Sequence, residues 1–102
     1  MDHIDLVAMR GSKFMRVQVK SANSRPRGNK VMFGYMTRTN HNEVLNSDYI
    51  DIVAFVALNL RRVLFFRPIE LPKSFRLSYE SFDNIDNERT SWETAVNNVL
   101  GT

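Results

Sequence analysis

The stretch Ile4-Asp5-Leu6-Val7-Ala8, followed after a short break by Phe14-Met15-Arg16-Val17-Gln18-Val19-Lys20, decides how the rest of the chain is read. Between its halves lies Arg10-Gly11-Ser12, where glycine permits a tight turn. The stretch therefore reads as a hairpin, with one strand from Ile4 to Met9 and a second from Phe14 to Lys20. In a strand, residues i and i+2 share a face. Val17 and Val19 then lie on one side, free to bury, while Gln18 and Lys20 lie on the other. With Asp5 near the start of the first strand, a polar trio of Asp5, Gln18 and Lys20 is expected to face a common cleft.

That trio suits one kind of chemistry. Hydrolysis of a phosphodiester needs an activated water and relief of charge growing on the phosphate. A hard divalent cation such as Mg²⁺, or Mn²⁺ in its place, supplies both and prefers oxygen ligands. Asp5 offers a carboxylate oxygen, Gln18 an amide oxygen and Val19 its main-chain carbonyl. Lys20 stands beside them, where it can orient the water or neutralise charge in the transition state.

An Asp followed after thirteen positions by Gln-Val-Lys resembles the motif of the PD-(D/E)XK nuclease superfamily. The likeness is closest to its group I intron-associated homing endonucleases, where an Ile-Asp-Leu-Val strand precedes an Arg-Val-Gln-Val-Lys strand and a small hydroxyl residue, here Ser21. A second stretch is similar to the later hairpin of that family. It runs Asp48-Tyr49-Ile50-Asp51-Ile52-Val53-Ala54-Phe55, then Val63-Leu64-Phe65-Phe66-Arg67-Pro68, and leads into Ile69-Glu70-Leu71-Pro72. The resemblance spans Ile4 to Pro72. It implies a restriction-endonuclease-like fold, a metal-dependent DNA endonuclease, and catalysis by Asp5, Gln18 and Lys20 with Asp5, Gln18 and Val19 on the metal. It also implies a cytoplasmic enzyme of prokaryotic or phage type. Cutting both strands of duplex DNA takes two sites, so a symmetric homo-oligomer, a dimer or tetramer, is expected.

Family members open with a helix carrying a glutamate, well upstream of the aspartate. Here four residues precede Asp5, so that helix is expected to be missing, with only Asp2 and His3 as ionisable side chains ahead of it. Three explanations fit: an N-terminally truncated domain, a neighbouring chain that supplies the part, or lost activity. The last makes the alternative function a catalytically inactive nucleic-acid-binding or assembly protein on the same scaffold.

Composition sets the limits. A chain of 102 residues forms one domain, here taken as 1–102, and its 43% hydrophobic and 25% charged residues are those of a globular protein. No apolar run approaches the ~18–20 residues that span a bilayer, and no cysteine is present for disulfides or thiolate metal sites. The net charge of +3 is unevenly spread. Arg10, Lys13, Arg16, Lys20, Arg25, Arg27, Lys30 and Arg38 follow one another without an intervening acid, whereas most of the 11 acids lie from Glu43 onward. The basic half is the half with the proposed site, as a phosphate-tracking surface requires; a merely solvated positive face is the plainer reading. Lys13, Arg16, Ser21, Arg25, Arg27, Lys30 and Arg38 are the candidate DNA contacts. The segment Arg25-Pro26-Arg27-Gly28 leads among them, in what reads as a loop or a long hairpin end.

The remaining chain reads mostly as strands. Val31 to Met36 is one, with Gly34 marking a bulge or a close backbone approach. Thr37 to Ser47 reads as a polar loop, where His41 is more simply exposed than a general base. Tyr49 to Leu58, rich in β-branched residues, suits a central strand buried on both faces. Asp48 and Asp51 at its start could be ligands, though spacing alone favours turn and edge residues. Val63 to Phe66 and a short strand around Phe75 to Tyr79 follow. Thr90-Ser91-Trp92-Glu93 has the form of a capping box. Beyond it, Trp92, Ala95, Val96, Val99 and Leu100 recur at helical spacing up to Gly101, giving a C-terminal helix that packs on a sheet face or a partner. The expected architecture is α+β: a mixed or mainly antiparallel sheet of about five strands, a C-terminal helix, and no N-terminal helix.

Overall fold

The opening hairpin forms as its alternation demands. Strand β1 (Leu6–Arg10) pairs antiparallel with β2 (Lys13–Ala22), Leu6 opposite Val17 and Arg10 opposite Lys13. Gly11 turns the chain at φ 61°, a left-handed value that costs a residue with a Cβ but not glycine. A computed structural model of the chain describes residues 6–36, 50–71 and 74–101.

Two further pairs complete the elements. Strands β3 (Arg25–Arg27) and β4 (Lys30–Met36) make a second tight hairpin, turned at Gly28 with φ 65°. Strands β5 (Ile52–Ala57) and β6 (Arg62–Phe66) make a third antiparallel pair. A 3₁₀ turn at Pro68–Glu70, strand β7 (Ser74–Ser78), and helices α1 (Tyr79–Asp83) and α2 (Ile85–Leu100) follow. The strands sort into two sheets, one in the order β1-β2-β5-β6 and the other β3-β4-β7. The β2–β5 pairing is parallel, because the chain leaves through β3 and β4 before it returns.

Burial follows the strand period. Met15, Val17, Ile52 and Ala54 point to one side of the larger sheet and pack against Ala95 and Val96 of α2. Val53, Phe55 and Ala57 point to the other side, where they meet Phe33 and Tyr35 of β4 and Phe82 of α1. Strand β5 is thus buried on both faces, as its continuous apolar run predicts. The Tyr35 hydroxyl donates to the Val56 carbonyl at 3.0 Å and ties the sheets together, and burial pushes its pKa above the ordinary tyrosine value.

The two edges of the larger sheet are treated differently. At β6, side chains from α2 satisfy the outward amides: Val63 N–H donates to Glu88 Oε1 at 2.8 Å and Phe65 N–H to Ser91 Oγ at 3.1 Å. At β1, Leu6, Val7 and Met9, with Phe14 of β2, are more than half exposed.

The α+β, restriction-endonuclease-like architecture with its C-terminal helix matches expectation, and several local readings need correction. Among the described residues, seven strands in two sheets stand where about five in one were expected. Of the two readings of Arg25–Arg27, the hairpin end holds and the loop does not: the segment is a paired strand, since Pro26 on an edge strand forfeits no ladder hydrogen bond that the sheet needs. Gly34 sits in regular pairing opposite Arg76, and a Cβ built there meets nothing within 4 Å, so it marks neither bulge nor close approach. Thr90–Glu93 lies inside α2. The helix starts well before it at Ile85, capped by Asn84 Oδ1, which accepts from Asp86 N–H at 2.9 Å. Glu93 pairs with Arg10 at 3.3 Å instead. Gly101 ends the helix in the left-handed conformation, its N–H bonded to the Asn97 carbonyl, as the sequence predicts.

Candidate active site

Strand β2 carries the candidate site because its two faces are chemically distinct. With Met15 and Val17 committed to α2, the alternate residues Arg16, Gln18 and Lys20 fall on the opposite face. The parallel register puts Gln18 beside Val53 and Lys20 beside Phe55. The amide and the ammonium therefore share a face, as expected from their spacing.

Gln18 is the one buried polar residue among the described residues, at 7% exposure. Among the described residues its Oε1 has no hydrogen-bond partner. An acceptor buried without a donor costs roughly 1–3 kcal/mol, and such groups are rare in folded proteins. A carboxamide oxygen of this kind is a natural ligand for a hard cation, the role expected of Gln18. Among the described residues no three His, Cys, Asp or Glu side chains cluster to hold a metal. Asp5 lies outside the described residues; in sequence it directly precedes Leu6, which stands opposite Val17. Val19 is half-buried and packs towards α2, so its main chain, not its side chain, is the part available to a ligand set. Lys20 is half-buried and Ser21 exposed.

Two residues before Gln18, the same face shows the opposite condition. Asp51 takes the Arg16 main-chain N–H at 2.8 Å and the guanidinium in a fork, Nε at 3.0 Å to Oδ2 and Nη2 at 3.1 Å to Oδ1. In return Asp51 N–H donates to the Arg16 carbonyl at 2.9 Å. Burial alone would raise the Asp51 pKa, but the hydrogen bonds and charge of Arg16, with the charge of Arg67, outweigh it and hold the carboxyl below its usual range. This link fastens the start of β5 to β2 and so sets the register that aligns Gln18 with Val53. Sequence reading did not find it: the partners lie 35 residues apart, and nothing local marks Asp51 as more than a turn residue.

The remaining candidates divide by place. Lys13 is exposed at the start of β2, and Arg25, Arg27 and Lys30 are exposed on the β3–β4 hairpin. Arg38, His3, His41, Asp2 and Asp48 lie outside the described residues. A cavity of about 340 Å³, lined by Leu64, Leu77, Ser81, Thr90 and Thr94 among others, opens beneath α2 on the β6 side. It is separated from β2 by β5 and holds none of the candidate residues.

A family model described as PD-(D/E)XK endonuclease matches residues 1–95. The chain belongs to that family. Membership implies nuclease chemistry on DNA, and such nucleases generally use Mg²⁺ or Mn²⁺. It agrees with the resemblance carried by Asp5 and Gln18-Val19-Lys20. No curated protein and no solved structure matches the chain. Among the described residues, no helix of this family member is long and apolar enough to cross a membrane.

Proposed function

We propose that the chain is a metal-dependent DNA endonuclease of the homing type, hydrolysing phosphodiester bonds at the β2 face. The observation that carries this reading is the buried, unpartnered Oε1 of Gln18, one strand period from Lys20. Asp5, the Gln18 amide oxygen and the Val19 carbonyl would hold Mg²⁺ or Mn²⁺. When bound, that ion supplies charge neutralisation at the phosphate and an acidified water. Lys20 orients the attacking water and balances charge developing on the phosphoryl oxygens. The apolar bed of Val53 and Phe55 beside Gln18 and Lys20 lowers the local dielectric, which strengthens both interactions.

Lys13, Arg16, Ser21, Arg25, Arg27, Lys30 and Arg38 serve the DNA. Arg16 acts there through its charge, since its fork is engaged by Asp51. Paired cutting requires a second copy. The exposed apolar edge at Leu6, Val7, Met9 and Phe14 supports an edge-to-edge contact between two β1 strands. The cytoplasm of a prokaryotic or phage-type system is the setting that fits such an enzyme.

The test is cleavage of plasmid and linear duplex with Mg²⁺ or Mn²⁺, run alongside light scattering. Wild type is expected to cut at a defined long site as a dimer or tetramer. Lys20→Ala and Asp5→Ala are expected to lower the rate by about 10²–10³-fold, the usual loss when one charge-stabilising group is removed. Variants that cut like wild type would refute the residue roles. A wild type that binds DNA without cutting it would leave the inactive scaffold as the better account. Indiscriminate nicking by a monomer would rule out the homing and paired-cutting parts.

A further inference from the structure

The outer face of the small sheet has no place in the β2 site, yet basic side chains gather on it without an acid among them. Its inner face is spent on the core, with Phe33, Tyr35, Phe75 and Leu77 turned towards the larger sheet. The period of two then sends the alternate residues outward. Register places Arg25 beside Met32, Arg27 beside Lys30, and Arg76 beside Gly34. Arg25, Arg27, Lys30 and Arg76 are all exposed, and β3, β4 and β7 contain no acid. Arg27 directly opposite Lys30 is a like-charge cross-strand pair, an arrangement that destabilises a sheet unless an anion lies over it.

Between these side chains runs a groove of about 220 Å³, lined by Arg25, Pro26, Arg27, Met32, Gly34 and Arg76. At roughly 30 Å³ per water, it has room for several waters or for one phosphate group with part of its shell. Gly34 forms part of its lining, and a Cβ there would meet nothing within 4 Å, so a bulky side chain at this position would have open space to extend over the groove. Because Arg25 and Arg27 stand on a paired strand, the three guanidiniums are set in advance and not on a free loop.

We propose that this groove grips a backbone phosphate of duplex DNA, with Arg76 as the third fork beside Arg25 and Arg27 and with Gly34 keeping the groove open. The inference rests on the reading of the chain as a DNA nuclease and deepens it by naming the surface that holds the duplex. Guanidinium forks match phosphate oxygens. The aromatic residues of this sheet face inward, so it offers no platform for stacking unpaired bases, which favours duplex over single strand. Sequence reading missed Arg76 because it lies far along the chain from the basic N-terminal half; only the β4–β7 pairing brings it to the others.

The experiment measures affinity for a duplex of arbitrary sequence, with chelator in place of metal, across a salt series. Wild type, Arg76→Ala, the double variant Arg25→Ala/Arg27→Ala, and Gly34→Leu are compared, with Arg89→Ala on exposed α2 as the control. Each phosphate that is no longer neutralised lowers the slope of log affinity against log salt by about 0.9. On that scale Arg76→Ala is expected to lower the slope by about one and the double variant by about two. Gly34→Leu is expected to weaken binding several-fold with unchanged circular dichroism, and Arg89→Ala to match wild type. Folded groove variants with wild-type slopes, an equal loss in Arg89→Ala, or equal competition by single strand would each overturn the proposal. If wild type still cuts DNA in that case, the nuclease reading stands and only the groove falls. If it neither binds nor cuts, both fall.

Discussion

Arg16 and Gln18 stand two residues apart on one face of one strand, and they have opposite fates. Arg16 is answered on every side: Asp51 takes its main-chain N–H and both arms of its fork, and returns a hydrogen bond to its carbonyl. Gln18 is more deeply buried, and among the described residues nothing answers its oxygen. A strand built only to fold would place a leucine or valine at Gln18, as β2 does at Val17 one position earlier. A polar group kept where it weakens the fold is therefore a sign of work, and a satisfied one two positions away is a sign of architecture. The distinction also separates the two faces of β2. The α2 side is packing throughout, while the opposite side holds the register lock and the proposed site in sequence.

The largest stability effect belongs to the packing side. Met15 is fully buried against α2, so Met15→Ala should cost about 3 kcal/mol, the middle of the range for large-to-small core changes. In a domain of this size that lowers the melting temperature by roughly 12–24 °C, since each kcal/mol is worth about 4–8 °C. Cleavage per folded molecule should stay within a few-fold of wild type at low temperature. A large loss of activity with little loss of stability would mean that the two faces are not separable.

The register lock comes next. Asp51→Ala strips the Arg16 fork and main-chain amide of their acceptor, and should cost about 2 kcal/mol in thermal or urea unfolding. Its pH dependence has a definite sign. The folded carboxyl sits below its unfolded range, so the ion pair contributes fully above the unfolded pKa of about 3.9. That contribution fades as pH falls through the lowered folded value. The gap in stability between wild type and Asp51→Ala should therefore be constant near neutrality and narrow below about pH 4. A gap that widens in acid would contradict the assignment.

Much of the fold was legible where burial is periodic. The central strand showed in the unbroken run around Ile52 to Ala57, and α2 in the spacing of Trp92, Ala95, Val96 and Val99. The start of α2 was not legible, because Ile85, Asp86 and Arg89 are exposed and its first turns carry no apolar stripe. The Thr90–Glu93 pattern therefore looked like the first cap. Helix α1 is five residues long and too short to show a period. At the site, the shared face of Gln18 and Lys20 followed from spacing alone. The Arg16–Asp51 lock and the arrival of Arg76 beside Arg25 depend on pairing between distant strands, which no local pattern records.

The most direct test of the central claim is one variant read twice. Gln18→Leu replaces the unpartnered amide with an apolar group of similar size, so relief of the orphaned oxygen should raise stability by about 1 kcal/mol. Metal-dependent plasmid cleavage by the same sample should fall by at least about 10²-fold. A variant that is more stable and still cuts like its parent would show that Gln18 is an imperfection of packing and not a ligand.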